Sequence, residues 1–102
     1  MALTTAADSR LTQAIKQRMI DEIKSLAYQK IVAIAPEWKQ RNMMAHSITL
    51  LQKGRENWTS EEAAMAEVYE NIWARIAAIR AYSNYLEENL TPNTDITDGW
   101  PE

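Results

Sequence analysis

Residues 59–90 read TSEEAAMAEVYENIWARIAAIRAYSNYLEENL, and this stretch decides the fold. Thr59 followed three residues later by Glu62 is a capping box, in which each side chain satisfies a backbone N–H that the first helical turn leaves free. Trp58 stands before the cap and is placed to staple onto Ala63. From there Met65, Tyr69, Ile72, Ile76, Ile79, Ser83, Leu86 and Leu90 recur at alternating spacings of four and three. A heptad of this kind predicts a helix over about 59–90 with one apolar seam, Ser83 being its weak position.

Two further helices precede it. Leu11, Ile15, Met19, Ile23 and Leu26 share one helical face, which Ile20, Ala27, Ile31 and Ile34 widen to roughly half the circumference. They predict a helix over about 7–34, closed by Pro36, because proline disfavours helical geometry at the residue before it. Pro36 also suits the opening turn of a second helix, with Glu37 near the positive end of its dipole. Trp38, Met44, Ile48 and Leu51 form that helix's apolar edge, and Gly54 is its expected cap, giving a span of about 36–53.

The expected fold is therefore all-α. Three helices, long, short and long, form a bundle or a coiled-coil-like hairpin, with residues 1–90 as one helical domain and 91–102 as an irregular tail. The short helix is not expected to cover both long stripes. Uncovered apolar surface usually marks an interface, so helix 1, helix 3 or both are expected to pack against other chains. The helix 3 seam is Met65, Tyr69, Ile72, Ile76, Ile79, Leu86 and Leu90; the helix 1 face is Leu11, Ile15, Met19, Ile23 and Leu26. In the polar tail Ile96 and Trp100 are the exceptions, and Trp100 is either a docking anchor or an idle residue of a loose segment. Tyr28, Tyr85 and Trp100 are expected at an interface, Tyr69 and Trp73 in the core.

Bulk properties narrow the function. The chain has 102 residues, two glycines, three prolines and no cysteine. One domain is the most such a length holds, and a chain this small is only marginally stable alone. The absence of cysteine excludes disulfides, thiolate metal sites and cysteine nucleophiles. The opening MALTTAADSR has no basic segment leading into an apolar core, so no signal peptide is expected, and no apolar run suits a membrane span. Residues 1–54 carry 8 Lys/Arg against 4 Asp/Glu, net +4; residues 55–102 carry 3 against 10, net −7. Halves of opposite sign could attract within one chain or between copies, or be incidental surface charge.

No group of residues spells out catalysis. His46 and Ser47 are adjacent on a helix and point about 100° apart, so they do not form a base–nucleophile pair. Glu62, Glu67 and Glu70 lack the Glu-x-x-His partners of a diiron bundle site and read as a solvated face. No glycine-rich phosphate loop exists. Lys39, Arg41, Lys53 and Arg55, with Trp38 and Trp58 nearby, make a small basic patch, but the overall acidity argues against nucleic acid. Neither an enzyme, a metal, a cofactor nor a membrane association is expected.

Two blocks carry a family resemblance. Pro36, Trp38, Lys39, Gln40, Arg41 and Asn42, followed by Trp73, Ile76, Ile79, Arg80, Ala81 and Ser83, resemble a short helical region of tail- and tail-fibre-associated proteins of tailed bacteriophages, over residues 27–88. The resemblance implies a virion protein made in the host cytoplasm: a structural component of a tail, baseplate or fibre complex. It would assemble as a homo-oligomer, with a larger tail protein, or both. It brings no active-site residues. An assembly chaperone absent from the finished particle is the second reading, and a small helical regulator or nucleic-acid binder the third.

Overall fold

The computed structural model describes residues 12–102. It contains three α-helices, α1 (Gln13–Ile34), α2 (Glu37–Lys53) and α3 (Ser60–Glu88), with one 3-10 turn at Arg55–Asn57 and no strand among the described residues. The molecule measures 72 × 20 × 20 Å, the proportions of a rod.

Local chemistry sets each boundary. Thr12 is extended, and its hydroxyl accepts from the Ile15 N–H at 3.2 Å, so α1 starts at Gln13 rather than near Ala7. Residues 7–11 of the expected helix, Leu11 among them, lie outside the described residues. Pro36 is the N-cap of α2, not its first turn. Gly54 closes α2 at φ +87°, where a Cβ would also press on the Glu56 carboxylate. The capping box of α3 is complete: Glu62 N–H donates to the Thr59 hydroxyl, and Thr59 N–H donates to Glu62 Oε1 at 2.9 Å. Asn89 ends α3, its amide donating to the Tyr85 carbonyl at 2.8 Å. Leu90, expected as the last position of the seam, therefore lies past the helix, half-buried in the tail.

The helices form a hairpin whose first arm is broken. Lys24 meets Glu87 at 3.8 Å, His46 meets Tyr69 at 2.7 Å, and Lys53 meets Glu62 at 2.6 Å. Each step forward in the first arm is a step back along α3, and the progression runs straight through the break at Pro36. So α1 and α2 lie one after the other against a single antiparallel partner, α3, and α2 is not a third layer between two long helices. At 1.5 Å per residue α1 and α2 total about 58 Å against about 43 Å for α3, so the first turns of α1 overhang.

The core sits at the break. Ala27, Ile31 and Ala35 from α1 and its cap, Met43 from α2, and Ile76 and Ile79 from α3 are buried together, with Ile34, Tyr69, Ile72, Trp73 and Trp100 packed around them. Small Ala27 and Ala35 let the arms approach closely. The seam's weak position, Ser83, is also buried, and its hydroxyl donates to Glu87 at 3.4 Å, beside the Lys24 ion pair. Every buried side-chain polar atom among the described residues has a partner.

The tail, residues 89–102, runs in turns back along the hairpin. Thr94 Oγ1 accepts from the Thr91 N–H at 2.8 Å. Asp95 accepts from the Thr97 hydroxyl at 2.6 Å and its N–H at 2.9 Å, which holds the Asp95 carboxyl below its usual range. Tyr82 of α3 donates to the Asp98 carbonyl at 2.7 Å, and Trp100 sets its ring edge-on to Tyr82 with Lys30 over its face.

Candidate interaction surface

The seam of α3 is used inside the chain. Ile76, Ile79, Ser83 and Leu86 are buried by the chain's own helices, and Tyr69 and Ile72 are half-buried against the same core. On α1, Ile23 is fully buried and Leu26 and Met19 are half-buried. These side chains have little left to offer a second molecule. Among the described residues of the two expected interaction faces, Ile15 on the overhang of α1 and Met65 in the second turn of α3 stay open. Trp100 is an anchor, but for its own tail: its indole N–H donates to the Ile96 carbonyl at 2.7 Å and its ring rests on the hairpin core. Tyr28 and Tyr85 are exposed, and the Tyr28 hydroxyl donates to Glu37 across the break at 3.4 Å.

The edge of α2 also stays outside, as does Val68 on α3. Met43 and Leu50 turn inward, seven residues apart on one face. Met44, Ile48 and Leu51 lie roughly 100° round the helix and are 55, 52 and 75 % exposed. Trp38 is exposed on the same helix. Beside this line, between α2 and α3, a recess of about 190 Å³ is bounded by Leu50, Leu51, Trp58, Ala66, Tyr69 and Trp73. Trp58 is fixed there by donating its indole N–H to the Leu50 carbonyl at 2.8 Å, and the Arg55 guanidinium lies 5.5 Å from its ring centre. Trp58 and Ala63, the expected staple, border one common recess with Ala66, Glu67 and Glu70.

The sequence identified the α2 line as an apolar edge without identifying it as the surface. Helix 2 carries two apolar lines, and spacing alone does not say which faces α3. On the helix the line continues into charge only at its start, where Arg41 precedes Met44 by three residues; Arg55 lies past Gly54, outside the helix.

Electrostatics fix the turn next to this surface. Glu62 accepts from the Lys53 ammonium and from the Thr59 N–H, in that order of effect, and these hold its carboxyl at about 2, below the usual 4.5. One carboxylate thus ties the last residue of α2 to the cap of α3. His46, the lone histidine, is satisfied by the Tyr69 hydroxyl, which packs edge-on to its ring. Among the described residues no group of acidic and histidine side chains is placed to hold a metal, and no helix is long and apolar enough to cross a membrane.

No known family model matches this chain, and neither a curated protein nor a solved structure matches it significantly.

Proposed function

We propose that the chain is a structural component of a tailed-phage tail, baseplate or fibre complex, and that it assembles through an apolar helix face. The observation that carries this reading is the outer line of α2, in which Met44, Ile48 and Leu51 stay exposed although the hairpin has buried its other long stripes. Three large apolar side chains in one helical line, beside an aromatic-lined recess, suit the packing of another helix. The setting comes from the resemblance of residues 27–88 to the helical region of phage tail proteins. Its most specific block, Pro36 and Trp38 to Asn42, occupies the break and the first turn of α2, directly before the exposed line.

Quantitative mass spectrometry of purified particles, alongside the lysate that yields them, tests the proposal. The expected result is the chain in the particle at a fixed ratio to the major tail protein. Abundance in the lysate with absence from the particle would replace the structural role by an assembly chaperone. Absence of any association with tail proteins in either fraction would overturn the reading.

A further inference from the structure

We infer that Asp98 is a site of slow covalent rearrangement: its carboxyl group closes onto the Gly99 backbone nitrogen, and the isoaspartate that follows frees the tail from the hairpin. Of the two glycines, only Gly99 follows an aspartate or asparagine; Gly54 follows Lys53. Glycine has no side chain to shield its nitrogen, so a five-membered ring closes most readily at such a pair.

The structure separates Asp98 from the other described aspartates. Asp21 lies within α1, and its carboxylate accepts from the Gln17 amide at 2.9 Å. The Thr97 hydroxyl and N–H both donate to the Asp95 carboxylate and hold it ionised, and the branched Ile96 follows it. Asp98 and Gly99 are exposed. Among the described residues, neither the Asp98 carboxylate nor the Gly99 N–H has a hydrogen-bond partner.

The chemistry needs only water. The Gly99 nitrogen bonds to Asp98 Cγ and loses its proton, one carboxyl oxygen leaves as water, and a succinimide results. Water then adds to the former backbone carbonyl of Asp98 and breaks its bond to the Gly99 nitrogen. The main chain now runs through Asp98 Cβ and Cγ, and the old backbone carbonyl has become a free carboxylate. That carbonyl is the one Tyr82 holds, its hydroxyl donating at 2.7 Å. Ring closure turns the carbonyl about the Asp98 Cα–C bond, and Tyr82 resists that turn. Gly99 also lies close under the Tyr82 hydroxyl, where a Cβ would not fit. The rearrangement therefore proceeds from the open tail, at a rate set by how often the tail opens. Once it is complete, an extra methylene separates the Tyr82 contact from Trp100. The Trp100 ring loses its register against Tyr82 and Lys30.

Incubation of the full-length protein near neutral pH, sampled over weeks, tests the inference. Electron-transfer fragmentation of digests distinguishes isoaspartate from aspartate and should find it accumulating at Asp98 but not at Asp21 or Asp95. In the same fraction of molecules the Trp100 indole N–H should lose its exchange protection by NMR, with helix content constant. Tyr82→Phe should accelerate the reaction about fivefold, the opening that one net hydrogen bond suppresses. Asp98→Glu, whose ring would have six members, should keep its tail docked throughout. No more isoaspartate at Asp98 than at Asp95 overturns the site. Isoaspartate with Trp100 still protected overturns the release, and a rate indifferent to Tyr82→Phe overturns the control by Tyr82.

Discussion

Replacing Ile79 by alanine separates the two uses that an apolar heptad can have. Ile79 is 2 % exposed and belongs to the cluster formed with Ala27, Ile31, Ala35, Met43 and Ile76. The substitution removes three carbon groups, which at about 0.8 kcal/mol each is about 2.4 kcal/mol of lost transfer energy. The neighbours from α1 include Ala27 and Ala35, whose methyl groups cannot swing in to fill the space, so a cavity term is added and the total is about 3–4 kcal/mol. For a chain of this size that lowers Tm by roughly 15–25 °C. Leu51→Ala removes the same number of carbon groups from a side chain that is 75 % exposed, and should shift the dilute monomer by no more than about 0.5 kcal/mol. Far-UV circular dichroism melts at low concentration measure both. The reasoning is refuted if the two substitutions cost the same, or if Ile79→Ala leaves the dilute melt unchanged and acts only by dissociating oligomers.

Three other predictions concern the turn and the tail. Thr59→Ala removes the hydroxyl that caps α3 and should cost about 1 kcal/mol in urea unfolding, with the m-value unchanged. The Glu62 carboxyl titrates lower in the folded chain than in the unfolded one, so its contribution is complete above its usual value of 4.5 and fades as pH falls towards about 2. Glu62→Gln should flatten stability against pH across that window, which melts at stepped pH will reveal. Gly99 adopts φ +83°, and a Cβ there would run into the Tyr82 hydroxyl. Gly99→Ala should therefore release the tail, seen by NMR as lost exchange protection of the Trp100 indole N–H, while helix content stays constant.

Much of this architecture is legible in the residues because the signals are local. Thr59 with Glu62, Pro36 and Gly54 each act within one helical turn, and α2 and α3 follow within two residues at either end. The start of α1 was missed because the apolar periodicity of its face continues upstream to Leu11, while the stop is a lone Thr12 with no acidic partner three residues on. The larger miss was where the seam is used. A heptad on α3 says that an apolar partner lies along it, not whether that partner comes from the same chain. Here α1 and α2 in succession supply it, because the break at Pro36 leaves the chain travelling the same way. With the seam occupied, Met44, Ile48 and Leu51 on α2 stay exposed, as do Met65 and Val68 on α3. Trp100 shows the same limit: an aromatic in a polar tail announces docking, and only the fold says onto what.

The central claim is that the long apolar stripe closes a hairpin within one chain, leaving the outer line of α2 for assembly. The lack of native cysteine makes this directly measurable. Spin labels on Lys24→Cys and Glu87→Cys sit where α1 and α3 form an ion pair at 3.8 Å. Pulsed electron resonance on the doubly labelled chain, diluted into a large excess of unlabelled chain, should keep one short distance unchanged. If that distance disappears on dilution, the stripe joins different chains and the account is wrong.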